Sequence, residues 1–75
     1  MISYGPLWKT MKDKNVTLYA LRYKAELGGG TIQRLQRNET VSTNTLDVLC
    51  RFLNCGLDDV AVYMPDPFPL GKDPI

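Results

Sequence analysis

The chain has 75 residues, the size of one small domain, and its 44% hydrophobic and 23% charged content is ordinary for a globular protein. No apolar run approaches the roughly 20 residues that a membrane-spanning helix needs, so we expect a soluble protein without a membrane segment. The net charge is +1, but residues 1–37 carry seven basic and two acidic side chains, a net +5, whereas the rest carries −4. The basic half is a candidate surface for a polyanion, although charges also serve simply to solvate a surface.

Residues 1–9 lack the charged start, apolar stretch and small-residue cleavage site of a secretory signal, which predicts a cytoplasmic protein. The chain has two cysteines, Cys50 and Cys55, fewer than small secreted disulfide scaffolds carry. We therefore expect reduced thiols rather than a disulfide, with Cys50 in the core because a free cysteine behaves as a small hydrophobic residue.

Apolar residues recur at helical spacing almost throughout, and no segment alternates strictly as a half-buried strand would. The pattern predicts an all-α fold of five short helices. The first begins near Pro6, a residue favoured in the first helical turn, and ends near Lys14-Asn15. The second begins after Thr17, whose hydroxyl can accept a hydrogen bond from a first-turn amide. Their apolar faces consist of Leu7, Trp8 and Met11, and of Leu18, Leu21 and Ala25.

Three glycines, Gly28–Gly30, interrupt this pattern and permit a sharp change of direction before a third helix that runs to about Arg37. The fourth helix follows the cap-forming cluster Ser42-Thr43-Asn44. Its apolar stripe is Leu46, Leu49, Cys50 and Leu53. After Gly56 a fifth helix is predicted, with Asp58 and Asp59 suited to the positive end of its dipole. Its apolar positions are Leu57, Val60, Ala61 and Met64.

Prolines recur from Pro65 onward, and each one removes a backbone donor that a helix would need. We therefore expect one domain at residues 1–64 and a proline-rich tail at residues 65–75.

The third helix has two chemically different faces. Spacing of 100° per residue places Ile32 and Leu35 on one side. The opposite sector contains Gly30, Gln33, Arg34 and Arg37. Arg34 could pair with guanine, Gln33 with adenine and Arg37 with a phosphate. Many exposed helices display Gln and Arg, but two short helices joined by a tight glycine-containing turn are typical of a unit that enters the major groove of DNA.

The segment from Thr17 to Leu35 resembles the helix-turn-helix of the phage-repressor family (Cro/CI, or XRE-like), most clearly in Thr31-Ile32 and Leu35 of the third helix. The likeness continues through Val41–Leu46 and Leu53–Val60. It implies a compact five-helix domain of the lambda-repressor-like type that places its third helix in the major groove of double-stranded DNA. It also implies a bacterial or phage transcription regulator, commonly a homodimer on a two-fold-related operator.

The resemblance assigns contacts to individual positions. The implied base-contacting residues are Gly29, Gly30, Gln33 and Arg34. The implied phosphate-contacting residues are Leu18, Arg37, Thr40 and Thr43. Because glycine offers no side chain to a base, specificity is expected to depend on Gln33 and Arg34. The glycines could instead let backbone amides approach a phosphate.

Two residues depart from the family's pattern. Arg22 stands where the family usually has a small residue facing the third helix, and we expect its charge to be directed outward because burial would be costly. Glu26 stands where the family usually has glycine. Either the turn keeps a left-handed backbone there at a cost of roughly 1 kcal/mol, or it has another shape.

Other classes of function find less support. The chain has no histidine and only two serines, Ser3 and Ser42, so no nucleophile-and-base pair can be assembled and we predict no enzyme activity. Two cysteines without histidine do not complete a zinc site, and we expect no metal, cofactor or small-molecule ligand. The remaining alternative is a protein-interaction module of the same fold, an antitoxin or antirepressor. The aromatic residues that could mark such an interface, or that are simply half-buried, are Tyr19, Tyr23, Phe52 and Tyr63.

Overall fold

The computed structural model describes residues 1–65. The elements in chain order are strand β1 (Ile2–Ser3), helices α1 (Gly5–Asp13), α2 (Leu18–Tyr23), α3 (Gly29–Gln36) and α4 (Thr43–Leu53), a 3-10 turn (Leu57–Asp59) and strand β2 (Val62–Tyr63). Four of the five predicted helices are therefore present in the described part. The predicted tail at residues 65–75 lies outside the described residues apart from Pro65. No helix within residues 1–65 is both long and apolar enough to cross a bilayer.

Two of the helices begin at the capping residues that the sequence indicates. The Thr17 hydroxyl accepts a hydrogen bond from the Ala20 amide at 3.2 Å, at the start of α2. The Ser42 hydroxyl accepts one from the Thr45 amide at 3.1 Å, at the start of α4. Each bond satisfies one of the amides that a helix leaves without an internal partner. The predicted starts of α2 and α4 are confirmed.

The predicted fifth helix is wrong. Only Leu57–Asp59 form a 3-10 turn, and β2 then pairs antiparallel with β1, with Ile2 opposite Tyr63. Val62 and Tyr63 are residue types that favour extended backbone, and Pro65 disfavours helical backbone at Met64. The Met64 amide instead donates to the Met1 carbonyl at 2.7 Å. The all-α prediction therefore holds only as a mostly helical fold with a small two-stranded sheet.

One core connects the successive elements. Each of the four helices buries one leucine completely, and Val60 is equally buried after the 3-10 turn. The fully buried side chains are Leu7, Leu21, Leu35, Leu49 and Val60. Burial of one such side chain is worth roughly 1.5–3 kcal/mol, so this set fixes how α2 and α3 lie against the rest of the domain.

The two cysteines are free thiols. Cys50 is half-buried beside the core rather than within it, and Cys55 has a similar position. Partial burial is the largest cause of the raised pKa of the Cys55 thiol, and the neighbouring Cys50 and Asp59 raise it further. A raised pKa keeps this thiol protonated at neutral pH, which is the opposite of what a nucleophilic cysteine needs.

The turn between α2 and α3 keeps the left-handed backbone, with φ 61° at Glu26. The next residue, Leu27, is buried, and its amide donates to the Leu21 carbonyl at 3.0 Å. Burial of Leu27 offsets the roughly 1 kcal/mol that a left-handed non-glycine residue costs. The first of the two alternatives for Glu26 is therefore the one observed.

Candidate nucleic-acid interface

Helix α3 is anchored on one side and exposed on the other. Ile32 and Leu35 are buried in the core, whereas Gln33, Arg34 and Arg37 are exposed. The predicted division into an apolar and a polar face is therefore confirmed. Because the apolar face is held by the core, the polar face has a fixed orientation relative to α2.

The C-terminal end of α3 is held by Tyr4, which is buried at 4% exposure. The Tyr4 amide donates to the Asn38 side-chain oxygen at 2.9 Å, and the Tyr4 hydroxyl donates to the Glu39 carbonyl at 2.8 Å. Asn38 itself has left-handed backbone, at φ 56°, which ends the helix. These contacts fix the position from which the Arg37 side chain extends.

The N-terminal end of α3 carries no compensating groups of its own. Gly28 occupies the cap position and provides no side-chain hydrogen bond, and the first turn contains no acidic residue. The first amides of a helix lack internal acceptors and lie at the positive end of its dipole. This end of α3 therefore favours an electronegative group approaching from outside.

The Arg22 guanidinium lies against Gly29. A Cβ atom placed on Gly29 would be 2.7 Å from Arg22 Nη1 and 3.4 Å from its Cζ. The Arg22 side chain is exposed, as predicted, and its Cζ lies 5.6 Å from the centre of the Tyr23 ring. A Cβ on Gly30 would be 3.9 Å from Arg34 Nη1, an ordinary contact. The Arg22 side chain thus lies against Gly29, and the Arg34 side chain lies near Gly30.

The predicted contact residues fall on two sides of α3. Leu18, Gly29, Gly30 and Gln33 line a cleft of about 500 Å³ between α2 and α3, together with Arg22 and Gln36. Arg34 and Thr40 line a depression of about 380 Å³ on the side facing α4. Arg37 caps the end of α3, and Thr43 is the first residue of α4; neither lines either depression.

The arginines of this surface have no acidic partner in the part of the chain that the structure describes. Within residues 1–65 no carboxylate lies within 4.0 Å of the Arg22, Arg34 or Arg37 guanidinium. By contrast, Arg51 of α4 pairs with Asp47 at 3.2 Å. Exposed guanidinium groups that have no carboxylate within 4.0 Å in residues 1–65 favour a positive potential at this surface.

The aromatic residues divide clearly. Phe52 is half-buried against the core, whereas Tyr19, Tyr23 and Tyr63 are exposed. Tyr19 and Tyr23 pack together on α2, with ring centres 4.7 Å apart. Helical spacing did not predict the contact of Arg22 with Gly29 and Tyr23, although an arginine at a position that favours a small residue was the available signal.

Comparisons with known proteins agree on the fold and the family. Residues 6–66 match the family of Cro/C1-type HTH DNA-binding domains. The comparison with curated proteins found no match. The crystal structure of the transcriptional regulator VanUg, Form II, is similar at 32% sequence identity and a TM-score of 0.81, with 87% of each chain covered. This chain therefore belongs to the Cro/C1-type helix-turn-helix DNA-binding domain family.

Proposed function

We propose that the protein is a sequence-specific transcriptional regulator that inserts α3 into the major groove, as a homodimer on a two-fold-related operator. The observation that carries the proposal is the exposed face of Gln33, Arg34 and Arg37 on a helix whose opposite face is buried. Family membership and similarity to a transcriptional regulator support a DNA-binding role. A helix of 8 residues is roughly 12 Å long, comparable to the width of the major groove.

The side chains of this face divide into base-reading and backbone-binding groups. Arg34 lies in the last turn of α3 and can donate two hydrogen bonds to guanine, while Gln33 on the cleft side can pair with adenine. Arg37 at the end of α3 suits a phosphate, which adds affinity without sequence preference. On the basis of the family resemblance, we also assign phosphate contacts to Leu18 in the first turn of α2, and to Thr40 and Thr43.

The end of the molecule formed by β1 and β2 is a candidate contact surface for the second subunit. Several large apolar side chains are exposed there, including Ile2 at 48% and Tyr63 at 67%. An exposed apolar surface of this kind also suits a different protein partner, which keeps the antitoxin or antirepressor role as the second candidate function.

Salt dependence distinguishes DNA binding from protein binding. We expect the full chain to bind a mixed-sequence duplex at ~50 mM salt and to lose affinity steeply by ~200 mM, because each neutralised phosphate releases counterions. Fluorescence anisotropy with a labelled duplex measures both. The variant Arg51→Ala serves as a control for charge outside the proposed interface. It removes one positive charge from α4 and should leave the affinity for the duplex nearly unchanged. Absence of binding to any duplex at ~50 mM salt would contradict the proposal.

A further inference from the structure

We propose that Arg22, a residue of α2, reads a guanine base at the place where α3 itself begins with glycine. This inference rests on the proposed function, because it needs the start of α3 to face the base edges. It adds Arg22 of α2 to the specificity-determining residues Gln33 and Arg34 of α3.

The Arg22 guanidinium occupies the space that a side chain on Gly29 would use. A Cβ on Gly29 would have Nη1, Cζ and Nη2 of Arg22 within 4 Å, with Nη1 as close as 2.7 Å. Real Cβ atoms do not approach other heavy atoms that closely, so Arg22 can hold this position only because residue 29 is glycine. The family resemblance places a base-contacting side chain at this position, and here the group that stands there comes from α2.

The surroundings leave the donors of Arg22 available at the start of α3. The side chain is exposed and lines the cleft that also contains Gln33, and within residues 1–65 no carboxylate pairs with it. The Tyr23 ring, 5.6 Å from Cζ, flanks the guanidinium on its own helix. The guanidinium thus lies close to both Gly29 and the Tyr23 ring.

Guanine is the base that this geometry favours. Its O6 and N7 atoms are adjacent acceptors in the major groove, and a planar guanidinium can donate to both at once. The first residues of the inserted helix are the ones that lie nearest to base edges, whereas phosphates flank the groove. The positive end of α3 adds to the potential that attracts these acceptors.

The test compares Arg22→Ala, Arg22→Lys and Gly29→Ala with the wild-type chain. A duplex is first selected by the wild type from a randomised pool, and each variant is then titrated with that duplex and with versions substituted at single positions. We expect the wild type to require guanine at one position per half-site. Arg22→Ala should reduce that preference by about tenfold to a hundredfold at that position alone. Arg22→Lys should also reduce it, because an ammonium group cannot bind both acceptors as a fork.

Gly29→Ala should also reduce the guanine preference, because the new methyl group would force the guanidinium to shift from its position against α3. Gly28→Ala is the matched control, since a Cβ there meets nothing within 4 Å and should leave the guanine preference intact. Circular dichroism of each variant establishes that it folds.

An unchanged preference in Arg22→Ala would overturn the inference, and so would equal weakening on every duplex, which indicates a phosphate contact. Both outcomes leave the proposed function standing. Failure of the wild type to select any duplex would instead contradict the proposed function itself.

Discussion

Helices α3 and α4 serve the core in the same way and differ at their exposed surfaces. Each buries a leucine completely, Leu35 in α3 and Leu49 in α4. Helix α4 is capped by Ser42, and Arg51 forms an ion pair with Asp47. Helix α3 has a glycine cap without a side-chain hydrogen bond, and its arginines have no carboxylate partner in the described residues. The side-chain cap and the ion pair of α4 therefore have no counterpart in α3 within the described residues.

The largest expected effect tests the part that the two helices share. Leu35→Ala and Leu49→Ala should each lower the free energy of unfolding by about 2–5 kcal/mol, because each removes a fully buried side chain and leaves a cavity. Urea denaturation followed by circular dichroism measures both changes. A loss below about 1 kcal/mol for Leu35→Ala alone would show that α3 is not held by the core as α4 is.

The next effect concerns binding and tests the face that only α3 has. Arg34→Ala should relax base preference at one operator position at a cost of about 1–3 kcal/mol, whereas Arg37→Ala should weaken all sequences alike and reduce the salt slope by about 1. Titration of matched and substituted duplexes at two salt concentrations separates the two variants. If both lose affinity without any change in preference, the division of roles is wrong.

A smaller effect tests the cap of α4. Ser42→Ala should lower the free energy of unfolding by about 1 kcal/mol, because the Thr45 amide loses its acceptor. Asn44→Ala, an exposed change in the same turn, is the control and should stay within about 0.5 kcal/mol. Equal effects of the two variants in thermal denaturation would show that the Ser42 cap adds nothing.

The smallest expected effect comes from a substitution that gives α3 a side-chain cap like that of α4. Gly28 has φ −66° and ψ 154°, nearly the values of Ser42 at φ −71° and ψ 155°. A Cβ on Gly28 meets nothing within 4 Å, so Gly28→Ser can place a hydroxyl as Ser42 does. We expect a gain of about 0.5 kcal/mol in stability, from the cap and from the reduced freedom of the unfolded chain. A lower melting temperature would contradict this.

Local signals in the sequence predicted the four observed helices and the chemistry of the two faces of α3. Thr17 and Ser42 mark the starts of α2 and α4, and the spacing of Ile32, Leu35 and Gln33 separates the buried from the exposed face of α3. These features depend on residues within one or two helical turns of each other.

The features that the sequence did not predict depend on distant parts of the chain. Strand β2 forms because Val62 and Tyr63 find a partner at Ile2–Ser3, and two-residue strands are too short to show alternation. The position of the Arg22 guanidinium depends on how the turn brings α3 against α2, which residue spacing does not specify. The same limit applies to the exposed apolar surface beside β2, which helical spacing assigned to a buried face.

Whether DNA binds at the exposed face of α3 or at that of α4 can be tested directly by NMR spectroscopy. The isotope-labelled full chain is titrated with a duplex selected by the wild type, and the chemical-shift change of each backbone amide is measured. We expect the largest changes at residues 28–37, including the glycine amides at the start of α3, with small changes at residues 46–53. Largest changes on α4 or at the β1–β2 end, with residues 28–37 unaffected, would contradict DNA binding through α3.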